Sequence, residues 1–301
     1  ITDTIQTGAG VYNFYGSNMN DHNAKKGGFH NITLAEAIHG SSNIGISRAV
    51  VKAWGSNPAG YVDKLYEMKV NEKLDIEIPG AAGPKIRHPK YNSQTWSRTT
   101  LPWMSIGYET QIPPIYTLAF YNSIANNGKY IRPFFVKAIM KNGQPVKTFT
   151  TETINPQICK PTTLAIVRET LLGVLYGEKG TAKNVASKYF KIAGKTGTAQ
   201  ISKGAAGYKA GGKTHQVSFC GYFPADAPQY TCIVVIREPR NGYPSGGKMA
   251  GSVFKNVAER TMALKSIRTP DYLSNDSTQT AGFMPASKSG RYDQLQKVLG
   301  S

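Results

Sequence analysis

The chain has no run approaching the roughly 18 to 20 consecutive apolar residues of a membrane span. It opens at Ile1-Thr2-Asp3 with neither an initiator Met nor a signal peptide, which reads as a fragment or processed form whose targeting information is lost. Cysteine is sparse: Cys159, Cys220 and Cys232 are odd in number and lack metal-binding spacing. Two of them sit in apolar, strand-like runs, where a free thiol behaves as a small hydrophobe, so they do not fix the redox compartment. The five histidines (His22, His30, His39, His88 and His215) are scattered and form no HExxH-type pair, which argues against a metal enzyme. No metal and no cofactor is expected. Acidic residues are few, 18 Asp and Glu against 36 Lys and Arg, for a net charge of +18. Such a balance favours anionic partners or surfaces. The basic residues are dispersed, however, and no block resembles a nucleic-acid arm, so a generally basic surface is expected and nucleic-acid binding is not.

What is present is a chain long enough, at 301 residues with 40% apolar content, to bury a sizeable core as one large domain or two ordinary ones. Residues 1–30 are rich in Gly, Asn and Asp and read as loops and short strands. Thr33-Leu34-Ala35-Glu36 is a capping-box pattern opening a short helix to His39. Ile44, Ile46, Val50, Val51 and Trp54 predict a mostly buried helix over Asn43–Trp54. Further helices are predicted over Pro58–Met68, Pro114–Asn126 with a glycine stop at Gly128, Pro161–Tyr176, Thr181–Ala186 and Ala250–Leu264. Residues 70–100 read as loop. Lys129–Phe149 reads as strand and hairpin with Asn142-Gly143 at the turn. Strands are predicted through the Ile192–Gln200 stretch, Gln216–Phe223 and Tyr230–Glu238, with a Gly/Lys-rich, mobile-looking loop over 202–215. Beyond Thr269 the composition is that of a linker. The order predicts an α+β fold, an antiparallel sheet flanked by helices, with one domain over 1–268 and a linker or the start of a small module over 269–301.

Two motifs carry chemistry. Lys195-Thr196-Gly197-Thr198 lies on a strand, where alternation sends Lys195 and Gly197 one way and Thr196 and Thr198 the other. Gly197 lets a backbone or ligand approach closely. Taken alone, the tetrapeptide also suits a surface edge strand with an exposed lysine. Ser41-Ser42-Asn43 lies at a helix-to-helix turn about 150 residues earlier; taken alone it suits a helix N-cap. In combination and in this order they resemble two of the three signatures of the active-site serine transpeptidases and β-lactamases, Ser-x-Asn and Lys-Thr-Gly. Gly40–Ser47, Gly107-Tyr108, Asn126-Asn127-Gly128 followed by Tyr130-Ile131-Arg132-Pro133, and Val217–Pro239 all resemble the class B penicillin-binding proteins, the peptidoglycan D,D-transpeptidases of septation and elongation. The resemblance covers residues 1–265.

The resemblance implies acyl transfer from a D-Ala-D-Ala stem peptide to the amine of a second one, with β-lactams acylating the same serine. It implies that Ser41 relays a proton toward the leaving amine, that Asn43 holds the substrate amide and the catalytic lysine, and that Lys195 supplies positive potential and polarises Ser41. It further implies that Thr196 and Thr198 bind the substrate's terminal carboxylate beside Gly197, and that the Thr198 N–H is one oxyanion donor. Implied partners are stem peptides, β-lactams and other cell-wall or division proteins. The implied location is the periplasmic face of the inner membrane, with the anchor outside this chain.

The third signature, the nucleophile's Ser-x-x-Lys, is missing from residues 1–40 and is expected upstream of Ile1. Ser245-Gly246-Gly247-Lys248 and Ser252-Val253-Phe254-Lys255 match the pattern, but both follow Lys-Thr-Gly. The first is glycine-rich and the second falls where the family places its C-terminal helix. Two other readings stand: a β-lactamase or β-lactam sensor of the same fold, and a basic, non-catalytic interaction domain.

Overall fold

The computed structural model describes residues 1–201 and 214–268, and for 266–268 the backbone alone; most of the Gly/Lys-rich loop (202–213) and the C-terminal linker (269–301) lie outside the described residues. The chain enters through four short strands, β1 (Thr4–Gly8), β2 (Val11–Phe14), β3 (Ser17–Asn20) and β4 (His30–Thr33). β2 and β3 form a hairpin, and β1 pairs antiparallel with β4. Thr33 caps α1 (Leu34–His39): its hydroxyl accepts from the Glu36 N–H at 3.1 Å while the Glu36 carboxylate accepts from the Thr33 N–H at 2.8 Å. α2 (Asn43–Trp54) follows after three residues and packs Ile44 on Phe14 and Met19 of the hairpin.

α3 (Pro58–Glu67) starts on an Asn57 cap with Pro at its first position. The predominantly irregular stretch after it contains β5 (Lys85–Ile86) and α4 (Thr100–Met104), and β5 pairs with β6 (Thr110–Gln111). α5 (Pro114–Ala125) leads to β7 (Tyr130–Ile131) and to the hairpin of β8 (Ala138–Lys141) and β9 (Gln144–Thr148). That hairpin turns on Asn142 and Gly143, both with positive φ, as a two-residue primed turn requires. β10 (Thr153–Asn155) pairs with β7, and α6 (Pro161–Tyr176) follows.

The centre is a three-stranded antiparallel sheet, β11 (Ala193–Gln200), β12 (His215–Phe223) and β13 (Tyr230–Arg237), in that spatial order. Alternation along β12 assigns its two faces to different helices. Tyr222 packs with Tyr116, Ala119 and Ile124 of α5 and with Leu164 and Leu171 of α6. Phe219 and Phe223 pack with Phe254 and Ala258 of α7 (Gly251–Arg268), the Phe219 and Phe254 rings 4.7 Å apart. The sheet is therefore covered on both faces, an α+β layering in which β11 is an edge strand.

Two predicted helices differ. Over Thr181–Ala186 only a single 3-10 turn forms, Lys183–Val185, because six residues close too few i→i−4 bonds to nucleate an α-helix on their own. The segment is held instead by bonds from the Thr181 N–H to the His39 carbonyl at 3.1 Å and from the Ala182 N–H to the Val174 carbonyl at 3.0 Å. The last helix begins with a π turn at Gly246–Ala250, and its regular part, α7, runs to Arg268.

α1 is seated on α6 through His39. Gly173 and Gly177 leave room for the imidazole; a Cβ on Gly173 would collide with its Nε2. Nε2 has no hydrogen-bond partner, and burial pushes the His39 pKa down, against a smaller opposing effect of Glu36 and Glu169, so the ring is held neutral. Gly173→Ala should destabilise the protein by about 1 to 3 kcal/mol. Combined with His39→Ala it should cost clearly less than the sum of the two single changes, as measured by urea unfolding in a double-mutant cycle.

Candidate active site

The site begins at the end of α1. Gly40 is the last right-handed residue, and Ser41 adopts a left-handed conformation, φ 55°. The Ser42 N–H bonds the Ala37 carbonyl at 2.8 Å and the Ser41 N–H bonds the Ile38 carbonyl at 3.2 Å. This pair of bonds is the Schellman closure of a helix, in which the left-handed position is normally glycine. A serine there costs on the order of 1 kcal/mol. It also turns the Ser41 hydroxyl away from both helices and toward the sheet.

The turn is braced from below by the loop after β3. Asp21, 3% exposed, accepts from the Ser42 hydroxyl at 2.7 Å and from the Ile44 N–H at 3.0 Å. The Asn43 side-chain amide donates to the Asn20 carbonyl at 2.9 Å, and His22 Nε2 lies 2.9 Å from the Gly40 carbonyl oxygen. Burial pushes the Asp21 carboxyl above its ordinary range, opposed by the bonds it receives from Ser42 and from the Ile44 and Asn43 amides. Ser42 thus does the capping that the sequence assigned to the turn as a whole: its Oγ accepts from the Gly45 N–H at 2.9 Å. Ser41 is left unneeded by the helix.

β11 supplies the other wall. Its register sets Ala193 opposite Tyr222, Lys195 opposite Cys220, Thr196 opposite Phe219 and Gly197 opposite Ser218. Lys195 therefore emerges on the α5 and α6 face and Thr196 and Thr198 on the α7 face, as alternation predicts. Lys195 Nζ donates to Ser41 Oγ at 2.8 Å, joining residues 154 apart in sequence, and to the Thr196 carbonyl at 3.0 Å. Thr196 Oγ1 lies 3.4 Å from the same Nζ and 3.1 Å from Thr181 Oγ1. Ser41, Lys195, Thr196 and Thr181 form one connected polar chain.

The remaining predicted residues stand around this chain. Thr198 Oγ1 accepts from the Gly246 N–H at 3.2 Å. Gly246 lies so close over the Gly197 peptide that any Cβ it carried would strike backbone, and a Cβ on Gly197 itself would strike Ser218 Oγ. Asn43 lines a cavity beside the turn together with Gln200 at the end of β11. Asp21, His22, Thr181 and Gly246 escaped the sequence reading. Of these, only Gly246, in a Ser-Gly-Gly run before a helix, carried a local signal. The two downstream Ser-x-x-Lys matches are occupied otherwise: Ser252 donates to the Lys248 carbonyl at 2.6 Å, Lys255 faces Glu259 at 4.0 Å, and Ser245 caps the π turn through the Lys248 N–H at 3.3 Å.

Lys195 is only partly exposed, and the protein crowded around its ammonium lowers its pKa from 10.5 to about 8 by desolvation. The unfolded chain thus binds the proton more tightly than the folded one. Relative to Lys195→Met, the native protein should gain stability as pH rises from 8 to 10.5, by at most on the order of 3 kcal/mol. Urea unfolding across that range checks it. In the same assay at pH 7, Ser41→Gly should be more stable than Ser41→Ala by about 1 kcal/mol, because only glycine escapes the left-handed penalty.

With this geometry in hand, comparison with known proteins is specific. The family model described as the penicillin binding protein transpeptidase domain matches residues 2–259. Among curated relatives, a peptidoglycan D,D-transpeptidase FtsI homolog of Mesostigma viride is 26% identical over 285 residues, covering 89% of this chain and 44% of the relative. The probable peptidoglycan D,D-transpeptidase PenA of Neisseria flavescens is 28% identical over 240 residues, covering 79% of this chain and 54% of the relative. The chain thus spans about half or less of the length of these relatives. Among solved structures, the transpeptidase domain of Burkholderia pseudomallei penicillin-binding protein 3 superposes with a TM-score of 0.70 at 25% identity, covering 89% of this chain and 73% of that one. Penicillin-binding protein 3 of Mycobacterium tuberculosis, complexed with aztreonam, shares the fold at a TM-score of 0.72 and 22% identity, covering 88% of this chain and 58% of that one. A serine-bearing left-handed turn docked on a Lys-Thr-Gly-Thr edge strand, within a family match spanning nearly all the described residues, places this chain in the penicillin-binding protein transpeptidase family, as a class B transpeptidase domain.

Proposed function

We propose that this chain forms the Ser-x-Asn and Lys-Thr-Gly walls of a peptidoglycan D,D-transpeptidase that transfers the acyl group of a D-Ala-D-Ala stem peptide through a serine ester. The observation that carries the reading is the 2.8 Å contact between Lys195 Nζ and Ser41 Oγ. A partly desolvated ammonium beside a hydroxyl polarises that hydroxyl toward passing a proton on. In this role Ser41 hands a proton to the leaving D-Ala nitrogen, and Lys195 re-supplies positive potential while staying largely charged at neutral pH. Thr196 and Thr198 bind the terminal carboxylate, with the Lys195 charge behind them. The Thr198 N–H donates to the developing oxyanion, an interaction worth several kcal/mol where such donors have been removed. Asn43, pinned by Asn20, orients the substrate amide.

β11 suits an extended peptide, because no other strand among the described residues pairs with its outer edge. A peptide added antiparallel there has its C-terminus toward Lys195. The attacking serine and its base belong to a Ser-x-x-Lys motif upstream of Ile1, and the reaction takes place on the outer side of the cytoplasmic membrane, where stem peptides lie.

Intact mass after incubation with benzylpenicillin tests this. The chain as given should gain no mass. The protein carrying its upstream segment should gain one penicilloyl group, and should lose that gain when the serine of the upstream motif is changed to Ala. Mass gain by the chain as given would move the nucleophile inside it, and absence of gain in both would sink the enzyme reading.

A further inference from the structure

The hairpin of β8 and β9 contributes nothing to the polar chain of Ser41, Lys195, Thr196 and Thr181, and its surface is of a different kind. Its two strands pair with each other and, among the described residues, with no other strand. Five large apolar side chains stand exposed within residues 135–146: Phe135, Val136, Ile139, Met140 and Val146. Exposed apolar residues scattered singly need no explanation, whereas a cluster of them marks an interaction site. Every residue of both strands is exposed except the half-covered Ala138.

The register shows that the hairpin offers both of its faces. Ile139 pairs with Lys147 and Met140 with Pro145, so Val146 is the extra residue of a bulge. Ile139 and Met140 are consecutive on one strand and point to opposite faces, yet they are 50% and 56% exposed. A globular partner seated on one face would leave the other apolar face in water. A medium that surrounds the hairpin covers both. The charge is of one sign: Lys137, Lys141 and Lys147 lie here, and no Asp or Glu occurs over residues 133–151. A second copy would set these lysines against their equals, in a chain that already carries +18. The base of the hairpin is pinned to the body. The Phe135 N–H donates to the Glu77 carboxylate at 2.9 Å, the Phe149 N–H to the Lys137 carbonyl at 2.9 Å and the Arg132 N–H to the Glu152 carbonyl at 2.9 Å.

We propose that the β8–β9 hairpin dips into the surface layer of an anionic phospholipid bilayer. Its apolar side chains enter the headgroup and upper acyl region, and its lysines meet the lipid phosphates. A lysine stem is apolar enough to lie along the hairpin while its ammonium reaches the headgroups. Four residues at roughly 3.3 Å each give a finger of about 13 Å, enough to reach the acyl boundary and far too short to span. The unpaired backbone groups on the outer edges of the two strands keep the finger at hydrated headgroup depth.

Sedimentation with vesicles of phosphatidylcholine, with and without added phosphatidylglycerol, tests this. The chain should bind the anionic vesicles and leave the neutral ones, and salt should weaken the binding. Lys137→Gln, Lys141→Gln and Lys147→Gln together should weaken it by roughly tenfold to 100-fold. Lys25→Gln, Lys26→Gln and Lys183→Gln, which remove the same charge from exposed positions elsewhere, should weaken it much less. Ile139→Ser, Met140→Ser and Val146→Ser together should weaken it by roughly tenfold with no change of charge. In Val146→Trp, brominated phospholipid should quench emission beyond the quenching of the unaltered chain, whose Trp54, Trp96 and Trp103 lie elsewhere. Equal loss in the two lysine variants would reduce the effect to net charge and overturn the proposal. Binding indifferent to the serine substitutions would mark a site for any acidic partner, and a reporter that is not quenched would keep the hairpin out of the bilayer; either result also overturns it. Lipid-free self-association that the serine substitutions abolish, without vesicle binding, would give the hairpin to a second copy instead. If a triple variant does not fold, the Val146→Trp reporter decides. None of these readouts uses the cleft, so the outcome is independent of the transpeptidase reading.

Discussion

The geometry depends above all on the way one buried carboxylate frees one serine. Asp21 accepts from the Ser42 hydroxyl and the Ile44 amide, so the start of α2 is satisfied by Ser42 and Asp21 together. The turn between α1 and α2 then requires nothing of Ser41 except that it tolerate a left-handed backbone. A hydroxyl with no local duty, presented on a rigid Schellman turn, is available to Lys195. Had Ser41 been the cap, its oxygen would have been spent on a helix amide and pointed along the helix axis. Two adjacent serines of identical chemistry have opposite employments because the backbone conformation differs between them.

The second constraint is the lysine's solvation. Among the described residues Lys195 has no acidic partner to hold its charge, and desolvation is what lowers its pKa. Its hydrogen bonds go to oxygens of Ser41 and Thr196, neutral acceptors that orient an ammonium without quenching it. A carboxylate in that place would raise the lysine's pKa and cancel the potential that an anionic substrate could feel. The site therefore stays electropositive by omission, which fits a chain poor in acidic residues.

Elements governed by local rules were legible in the sequence. The Thr33–Glu36 capping box, the Asn43–Trp54 and Pro161–Tyr176 helices and the Asn142-Gly143 turn formed at the residues expected, since capping, periodicity and turn chemistry act over a few positions. The two chemical motifs were legible as well, and the structure brings Ser41, Lys195 and Thr196 together. What was hidden was set by long-range approach. Nothing near Asp21 announces that it will meet Ser42, and nothing near Thr181 announces that its amide will go to His39 while its hydroxyl meets Thr196. The helix expected over Thr181–Ala186 is too short to nucleate on its own and gives way to a 3-10 turn, and the π turn before α7 opens where Gly246 is pressed on the Gly197 and Ser218 peptides and Gly247 on the Thr181 carbonyl.

The 154-residue separation between Ser41 and Lys195 has a consequence of its own. One partner sits in the helical first part of the chain and the other on the sheet, so the pair exists only after a very long loop has closed. Closing such a loop is entropically costly to begin and adds little with further length. Any ligand that spanned Ser41 and β11 would bridge the two parts directly, and its binding to the docked arrangement alone would stabilise that docking. Occupancy of the cleft would then be thermodynamically linked to the docking of the helical part on the sheet.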